Sequence, residues 1–500
     1  MKILLIYPPI TAYISDTPSP TPPLGLAYIA AVLEENNYDV KIIDALTEGL
    51  DNCEKKGEFI RVGLDDESIK RRILEFEPDI VGISASYTAS SKDSHNVARL
   101  VKEINPDIPV VFGGAHSSAL PEVVLNDKNV DIVVIGEGEI TFLELVKNLE
   151  TGKDTDKIPG TVVRKEDKIC YNPPRPYIED LDRLPFPARH LLPMDIYLHK
   201  IPPFLNDYSM RQPRTTMITS RGCVYNCVYC SIHSVWGHKW RPRSAINVVD
   251  EIEYLVDTYK VREIAFLDDN LTLDKKRMND ICEEILRRKI DISWSTPNGI
   301  AIWKLDKELI IKMKKSGCWK LTFGIESASY DTQKFIGKHV NLDKANQIIK
   351  YANDAGMWTH AFFIIGFPYE LLDSITETIN YAIKSDLDFA NFFIATPYPR
   401  TKLFDIFKKE NLLQDGLSYQ SLNKPAWNTK FFTKEELIEL QNKAYSEFIN
   451  SRIKRYLNPV KLFKKINSFE DLKFIIKMAQ TSTRVKLNLK KYGRIQTHAS

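Results

Sequence analysis

Two stretches of this chain alternate short β-branched apolar runs with helix-like segments, and a proline-rich passage separates them. That rhythm leaves few folds open. In the first 150 residues the runs are "KILLIYPP" (2–9), "DVKIIDAL" (39–46), "DIVGISAS" (79–86), "IPVVFGGAH" (108–116) and "DIVVIGEGE" (131–139). Between them lie "LGLAYIAAVLEENN", "DESIKRRILEFE", "SSKDSHNVARLVKEI" and "ITFLELVKNLE", with apolar residues at helical spacing. Strands apolar on both faces, each followed by a helix, predict an α/β domain with a doubly wound, Rossmann-like parallel sheet over residues 1–150. Ligands bind such sheets beyond the carboxyl ends of the strands.

Residues 151–211 lose the rhythm and carry many prolines ("NPPRPYIEDLDRLPFPARHLLP"), which reads as a linker wrapped over a surface. From 212 the alternation resumes with "RTTMITS", "EIAFLDDN", "ISWSTPNG", "WKLTFGIES", "THAFFIIGFP" and "FANFFIATPYP". Six strand–helix units over residues 212–404 predict a partial (β/α)6 TIM-like barrel rather than a second open sheet. Residues 405–500 read as a helical, increasingly basic C-terminal region.

A chain of 500 residues is too long for one ordinary core, and 43% hydrophobic with 27% charged residues is the balance of a soluble globular protein. No run of eighteen apolar residues occurs, and "MKILLIYPPI" reaches its prolines too soon for a secretory signal, so a cytoplasmic location is expected. Cys53, Cys170, Cys282 and Cys318 are scattered and the total of seven is odd, which predicts reduced thiols. Residues 451–500 hold 13 Lys/Arg against 2 Asp/Glu, a surplus of +11 set against −9 on the rest. Apolar residues interleave with these cations, so the tail reads either as a basic amphipathic surface for anionic lipid or as a solvated face on helices that close the barrel. No nucleic-acid motif accompanies the charge.

The other three cysteines fall within eight positions, in "TSRGCVYNCVYCSIHS" at Cys223, Cys227 and Cys230. Spacings of three and two are too close for separate regular elements, so one loop must wrap them around a common centre. Structural zinc wants four protein ligands, and here only His233 or His238 stands near enough to be the fourth. A 4Fe-4S cubane held by three cysteines instead leaves one iron open for a substrate or cofactor.

The stretch resembles the signature loop of the radical S-adenosylmethionine (SAM) superfamily, in which the open iron chelates SAM and an electron from the cluster releases a 5′-deoxyadenosyl radical. The resemblance implies that Tyr229, before the third cysteine, lies near the adenine. It implies a polar SAM contact from "AFLDDN" (Asp268, with Asp269 beside it) and a hydrogen-bonding residue from "FGIES" (Glu326). "FFIIGFPYE" is similar to the family's Gly-x-Ile-x-Gly-x-x-Glu segment and contributes Gly366, although Ala361 or a neighbour replaces the first glycine.

In the first domain no Gly-x-Gly-x-x-Gly follows the first strand, so a nicotinamide or flavin dinucleotide is not expected. The long loop from Pro8 to Pro23, with the following "PPLGLAYIAA", resembles instead that of cobalamin-binding domains fused to radical SAM barrels. The resemblance places Gly25, Ser84, Ser86, Gly113, Gly114, His116, Gly136, Glu137 and Gly138 around cobalamin. Glycine at strand ends lets the backbone approach a bulky ligand, while the bland reading is that these glycines turn strand into helix. No histidine precedes His95, so cobalamin is expected base-off, without a protein histidine on cobalt, and His116 is expected as a tail or packing residue.

Residues 1–400 thus resemble cobalamin-dependent radical SAM methyltransferases and also anaerobic magnesium-protoporphyrin ester cyclases. The first implies methyl transfer from SAM through methylcobalamin to an unactivated carbon, the second ring formation or oxidation without methyl transfer. A non-catalytic cobalamin or iron–sulfur sensor is the reading from another class. Expected partners are a small molecule (a lipid, tetrapyrrole or other natural product) and an external electron donor such as flavodoxin or ferredoxin, with anaerobic chemistry. No acid–base pair is assigned; His233, His238, Tyr398 and Arg400 are the polar residues placed to face a substrate.

Overall fold

The computed structural model describes residues 1–14, 20–166, 168–201, 209–413, 427–466 and 469–476. Strand Lys2–Tyr7 lies between Asp39–Asp44 and Ile80–Ser84, parallel to both, and Val110–Gly113 and Ile132–Val134 continue the sheet. Ile3, Leu4, Leu5 and Ile6 have no exposed surface. Ile3 and Leu5 pack with helices Leu24–Glu35 and Glu139–Glu150 on one face, and Leu4 and Ile6 with Asp66–Phe76 and Ser91–Ile104 on the other. Burial on both faces is why the strands read as unbroken apolar runs. Strand order reverses between Lys2–Tyr7 and Ile80–Ser84, the switch point at which such sheets open a crevice.

The proline-rich segment departs from a plain linker at its start. Thr161–Lys165 and Lys168–Tyr171 form a hairpin that extends the first sheet antiparallel to Ile132–Val134. The remainder staples the two halves together. Arg189 is fully buried and donates to Thr216 O (2.9 Å) and Glu251 Oε1 (2.8 Å) of the barrel, and Ala188 N donates to Ala27 O of the first domain (2.9 Å). Tyr197 reaches the first domain too, where its hydroxyl bonds the buried Asp44 and lies 2.7 Å from Thr47 Oγ1. A small antiparallel sheet, Ile10–Tyr13, Cys53–Lys56 and Phe59–Val62, occupies part of the expected loop after the first strand.

The second half is a six-stranded parallel sheet in sequence order: Arg214–Met217, Glu263–Phe266, Ser293–Ile300, Cys318–Glu326, Trp358–Ile365 and Phe389–Ile394. These are the six expected strands of the partial barrel. Side-chain caps at Ser244, Asp274, Asp306 and Asn341 start the intervening helices.

Helix Lys434–Tyr456 covers the last strand, with Gln441 Nε2 donating to Phe392 O (2.6 Å). The described part of the basic tail closes the end of the barrel where the strands begin. Lys465 is buried and donates to Asp388 Oδ2 and Asn353 Oδ1 at 2.7 Å each. Arg455 pairs with Asp386 (3.2 Å), Lys464 with Asp354 (3.4 Å), and Phe474 packs on Trp319 and Trp358. Arg455, Lys464 and Lys465 thus meet carboxylates of the body; the basic residues of 477–500 lie outside the described residues.

Candidate functional site

The loop bearing the three cysteines begins and ends in a two-stranded ladder, Ser220–Arg221 against Arg241–Pro242, with Arg221 facing Arg241. Gly222 turns the chain at φ +85°, where a Cβ would lie 2.3 Å from Lys239 O, so only glycine closes the loop there. Further in, Val228 N donates to Ile336 O (3.1 Å) and Leu403 N to Val228 O (2.9 Å), pinning the loop to the end of helix Tyr330–Ile336 and the start of helix Lys402–Lys409. Burial raises the thiol pKa of all three cysteines; Cys230 is pushed up to about 12, with Cys227 and Cys223 adding to the effect. The three thiols therefore feel one another across a shared space.

His233 does not offer a fourth ligand. Its Nε2 lies 2.7 Å from Tyr225 O and its Nδ1 3.1 Å from Gly237 O, so both ring nitrogens are engaged by backbone carbonyls. His238 stacks on it, ring centroids 3.7 Å apart. Among the described residues no three His, Cys, Asp or Glu side chains gather tightly enough to hold a single metal ion.

Around the thiols stand groups from successive strand ends. Asp268 is buried and accepts from Thr219 N (3.1 Å), Thr219 Oγ1 (2.7 Å) and Ser220 Oγ (2.5 Å), anchoring the chain that enters the loop. Its neighbour Asp269 bears on Cys223 and Cys230, and burial, with Asp268 next to it, raises its carboxyl to about 7. Asp268 thus braces the loop, while Asp269 is the carboxyl that bears on the thiols. Glu326 takes a left-handed φ of +67° at its strand end, a conformation that costs a non-glycine residue energy and is common at functional sites. Its carboxylate accepts from Lys338 Nζ (2.8 Å) and is hydrogen-bonded to the Tyr229 hydroxyl.

Lys338 was not anticipated in the sequence. Burial pulls its ammonium down, but Glu326 and Cys227 more than offset that and leave it raised. Gly366, at φ +80°, donates its N–H to Glu370 Oε2 (2.7 Å), and a Cβ there would come within 2.8 Å of Leu437. The expected role near SAM and this packing constraint meet at the same residue.

On the first domain, Gly25 and Gly113 have no atom within 4 Å of where a Cβ would be, so the surface beside them is open. Ser84 and Ser86 hydroxyls lie 2.9 Å apart at the end of their strand. His116 is 3% exposed, with Nδ1 3.0 Å from Thr88 Oγ1 and Nε2 without a partner. Burial, helped by His95, lowers its pKa to about 4, which keeps it neutral. Gly114, Gly136 and Gly138 are instead packed: their missing Cβ atoms would meet Ala85 O (2.9 Å), Val235 O (3.4 Å) and Ile29 Cδ1 (2.8 Å).

Glu137, expected beside cobalamin, has its carboxylate engaged elsewhere. It accepts from Arg221 (2.8 Å), from Arg241 (2.8 and 3.0 Å) and from Ile178 N (2.7 Å), and Arg221 also donates to Glu139 Oε1 (2.6 Å). The loop of the first domain and the cysteine loop of the barrel are thus joined directly.

Residues 10–146 match the model of the B12 binding domain and residues 217–382 that of the Radical SAM superfamily. The chain is 39% identical to an uncharacterized methyltransferase of Pyrococcus horikoshii, over 96% of this chain and 97% of that one. It is 34% identical to the cytidylyl-2-hydroxyethylphosphonate methyltransferase of Streptomyces wedmorensis, over 92% of each. The chain belongs to the cobalamin-dependent radical SAM methyltransferase family. Its fold is that of the cobalamin-dependent SAM radical enzyme OxsB, at TM-score 0.69 and 18% identity over 96% of this chain and 71% of that one.

The residues present fit the cofactors of this family. Three mutually interacting thiols, with His233 engaged by backbone carbonyls, suit a cluster with an open iron better than structural zinc. The orphaned, buried His116 Nε2 and the open space beside Gly25 and Gly113 suit a large polar ligand on the first domain. Arg221, Arg241, Glu139 and Lys338 are the residues that sequence reading missed. Arg221 stood two positions before the first cysteine, inside the motif itself; the others carry no spacing signal.

Proposed function

We propose that this enzyme moves a methyl group from SAM, by way of methylcobalamin, to an unactivated carbon of a small molecule. The observation that carries the reading is the buried junction between the Gly136–Glu139 loop and the cysteine loop, which sets the carboxyl ends of both sheets against one another. Two methyltransferase relatives support methyl transfer over cyclisation.

When bound, the cluster with SAM supplies the deoxyadenosyl radical and cobalamin supplies the methyl group. Cys223, Cys227 and Cys230 would hold the cluster. Tyr229, Asp269, Glu326 and Gly366 surround the place of SAM, with Asp268 bracing the loop from behind. Lys338 sets a positive charge beside three thiolates and keeps Glu326 in position. Gly25, Ser84, Ser86, Gly113 and His116 would form the cobalamin surface; Gly114, Gly136 and Gly138 shape the loops beneath it, and His116, with Nδ1 beside Thr88, would turn its Nε2 to a polar group of the bound cofactor's tail. An external one-electron donor of flavodoxin or ferredoxin type completes the reaction.

The substrate reading rests on the Streptomyces relative, whose name specifies a phosphonate nucleotide. Lys402 is exposed at the rim and its charge bears on His238, a place suited to an anionic group. A peripheral membrane role draws no support from the described tail, and no described helix is long and apolar enough to cross a membrane.

The test is turnover under strong reductant with SAM carrying a deuterated methyl group. The label is expected in the product together with 5′-deoxyadenosine. A cyclised or oxidised product free of label would overturn methyl transfer, and absence of SAM cleavage would point to a sensor.

A further inference from the structure

We infer that Arg221 is a positioning residue that couples the two cofactor sites, so that filling either one tightens the other. Arg221 sits two residues before Cys223, and its guanidinium divides between Glu137 (2.8 Å) and Glu139 (2.6 Å) of the cobalamin domain. Arg241, its partner across the ladder, holds the same Glu137. One carboxylate therefore grips both feet of the cluster loop. Exposure of Arg221, Arg241, Glu137 and Glu139 is 3%, 1%, 8% and 3%, so water can neither replace nor screen these contacts. The Arg221 guanidinium lies between two rings, Tyr28 of the cobalamin domain (5.2 Å) and Trp236 of the cluster loop (4.9 Å).

The same four-residue loop carries the cobalamin side of the junction. Gly136 follows strand Ile132–Val134, at the carboxyl edge where a doubly wound sheet meets its ligand, and a Cβ on it would lie 3.4 Å from Val235 O of the cluster loop. A backbone that orders around cobalamin is held, through rigid buried pairs, to the residue that sets the direction of Cys223. Neither arginine needs to touch a cofactor for this. Coupling of binding free energies is reciprocal, so an assembled cluster must favour cobalamin to the same degree.

The experiment measures the cobalamin dissociation constant of the full chain with and without its assembled cluster. The wild type is expected to bind at least about fivefold more tightly with the cluster present, the lower end of ordinary coupling. In Arg221→Met, which leaves only the Arg241–Glu137 contact, the ratio is expected to fall to less than half of the wild-type value, while Arg221→Lys, able to serve one carboxylate, retains more of it. Glu139→Gln, a neutral isostere, provides a second reading if Arg221→Met does not fold. The reduced-cluster electron paramagnetic resonance signal, recorded with and without cobalamin, is expected to respond to cobalamin in the wild type only. A wild-type ratio of one, or variants that keep the wild-type ratio and spectral response, would overturn the coupling.

Discussion

Single side chains in this enzyme are set by what surrounds them as much as by what they are. Replacing any one of Cys223, Cys227 or Cys230 with alanine is expected to abolish SAM cleavage and lower the iron content severely, while cobalamin is still retained, though more weakly if the two sites are coupled. Iron analysis and detection of 5′-deoxyadenosine check this. Asp44 offers a test away from the cofactors. Burial raises its carboxyl from an ordinary 3.8 to about 6, so the native state binds that proton more tightly than the unfolded chain does. Its contribution to stability is full below pH 3.8 and is lost as pH rises through 6. The loss amounts to about 3 kcal/mol by the pKa difference. Relative to the wild type, Asp44→Asn should gain stability between pH 4 and pH 7 in denaturant titrations of the cofactor-free chain; a difference independent of pH would contradict this.

At the scale of elements, the cluster loop and the tail have separate physical tasks. Gly222→Ala forces a Cβ to within 2.3 Å of Lys239 O in a left-handed conformation, so the loop should fail to close and iron incorporation should fall by more than half with the fold retained. Lys465→Ala leaves Asp388 without its buried cation, and loss of one partner of such a pair costs about 3–5 kcal/mol. The melting temperature should drop while cofactor affinities measured well below it stay unchanged, because Lys465 lies at the far end of the barrel.

All six barrel strands and the five parallel strands of the first sheet were legible because each is a short β-branched run ending in turn residues. The Thr161–Tyr171 hairpin was not: its alternating "TVVRK" and "KICY" sat beside prolines that dominated the reading. Within the site, the cysteines declared themselves by spacing. Arg221, Arg241 and Lys338 did not, because a lone cation looks like a solvated residue until its carboxylate partner from elsewhere in the fold is in view. The arginine partners of Glu137 were hidden for the same reason.

At the scale of the whole molecule, two sheets that each bind a ligand beyond their strand ends are turned face to face by the junction at Glu137 and by the linker residues Arg189 and Tyr197. The arrangement buries the junction residues and leaves the opposite end of the barrel to the basic helices. The central claim is that one chain holds both an iron–sulfur cluster on three thiolates and a cobalamin on its first domain. Elemental and spectroscopic analysis of the anaerobically reconstituted protein tests this most directly. The account predicts iron and sulfide in equal amounts with a single base-off cobalamin per chain, and loss of the iron alone when the three cysteines are replaced together. Stoichiometric zinc with refusal of iron, or a protein that takes up no cobalamin, would contradict it.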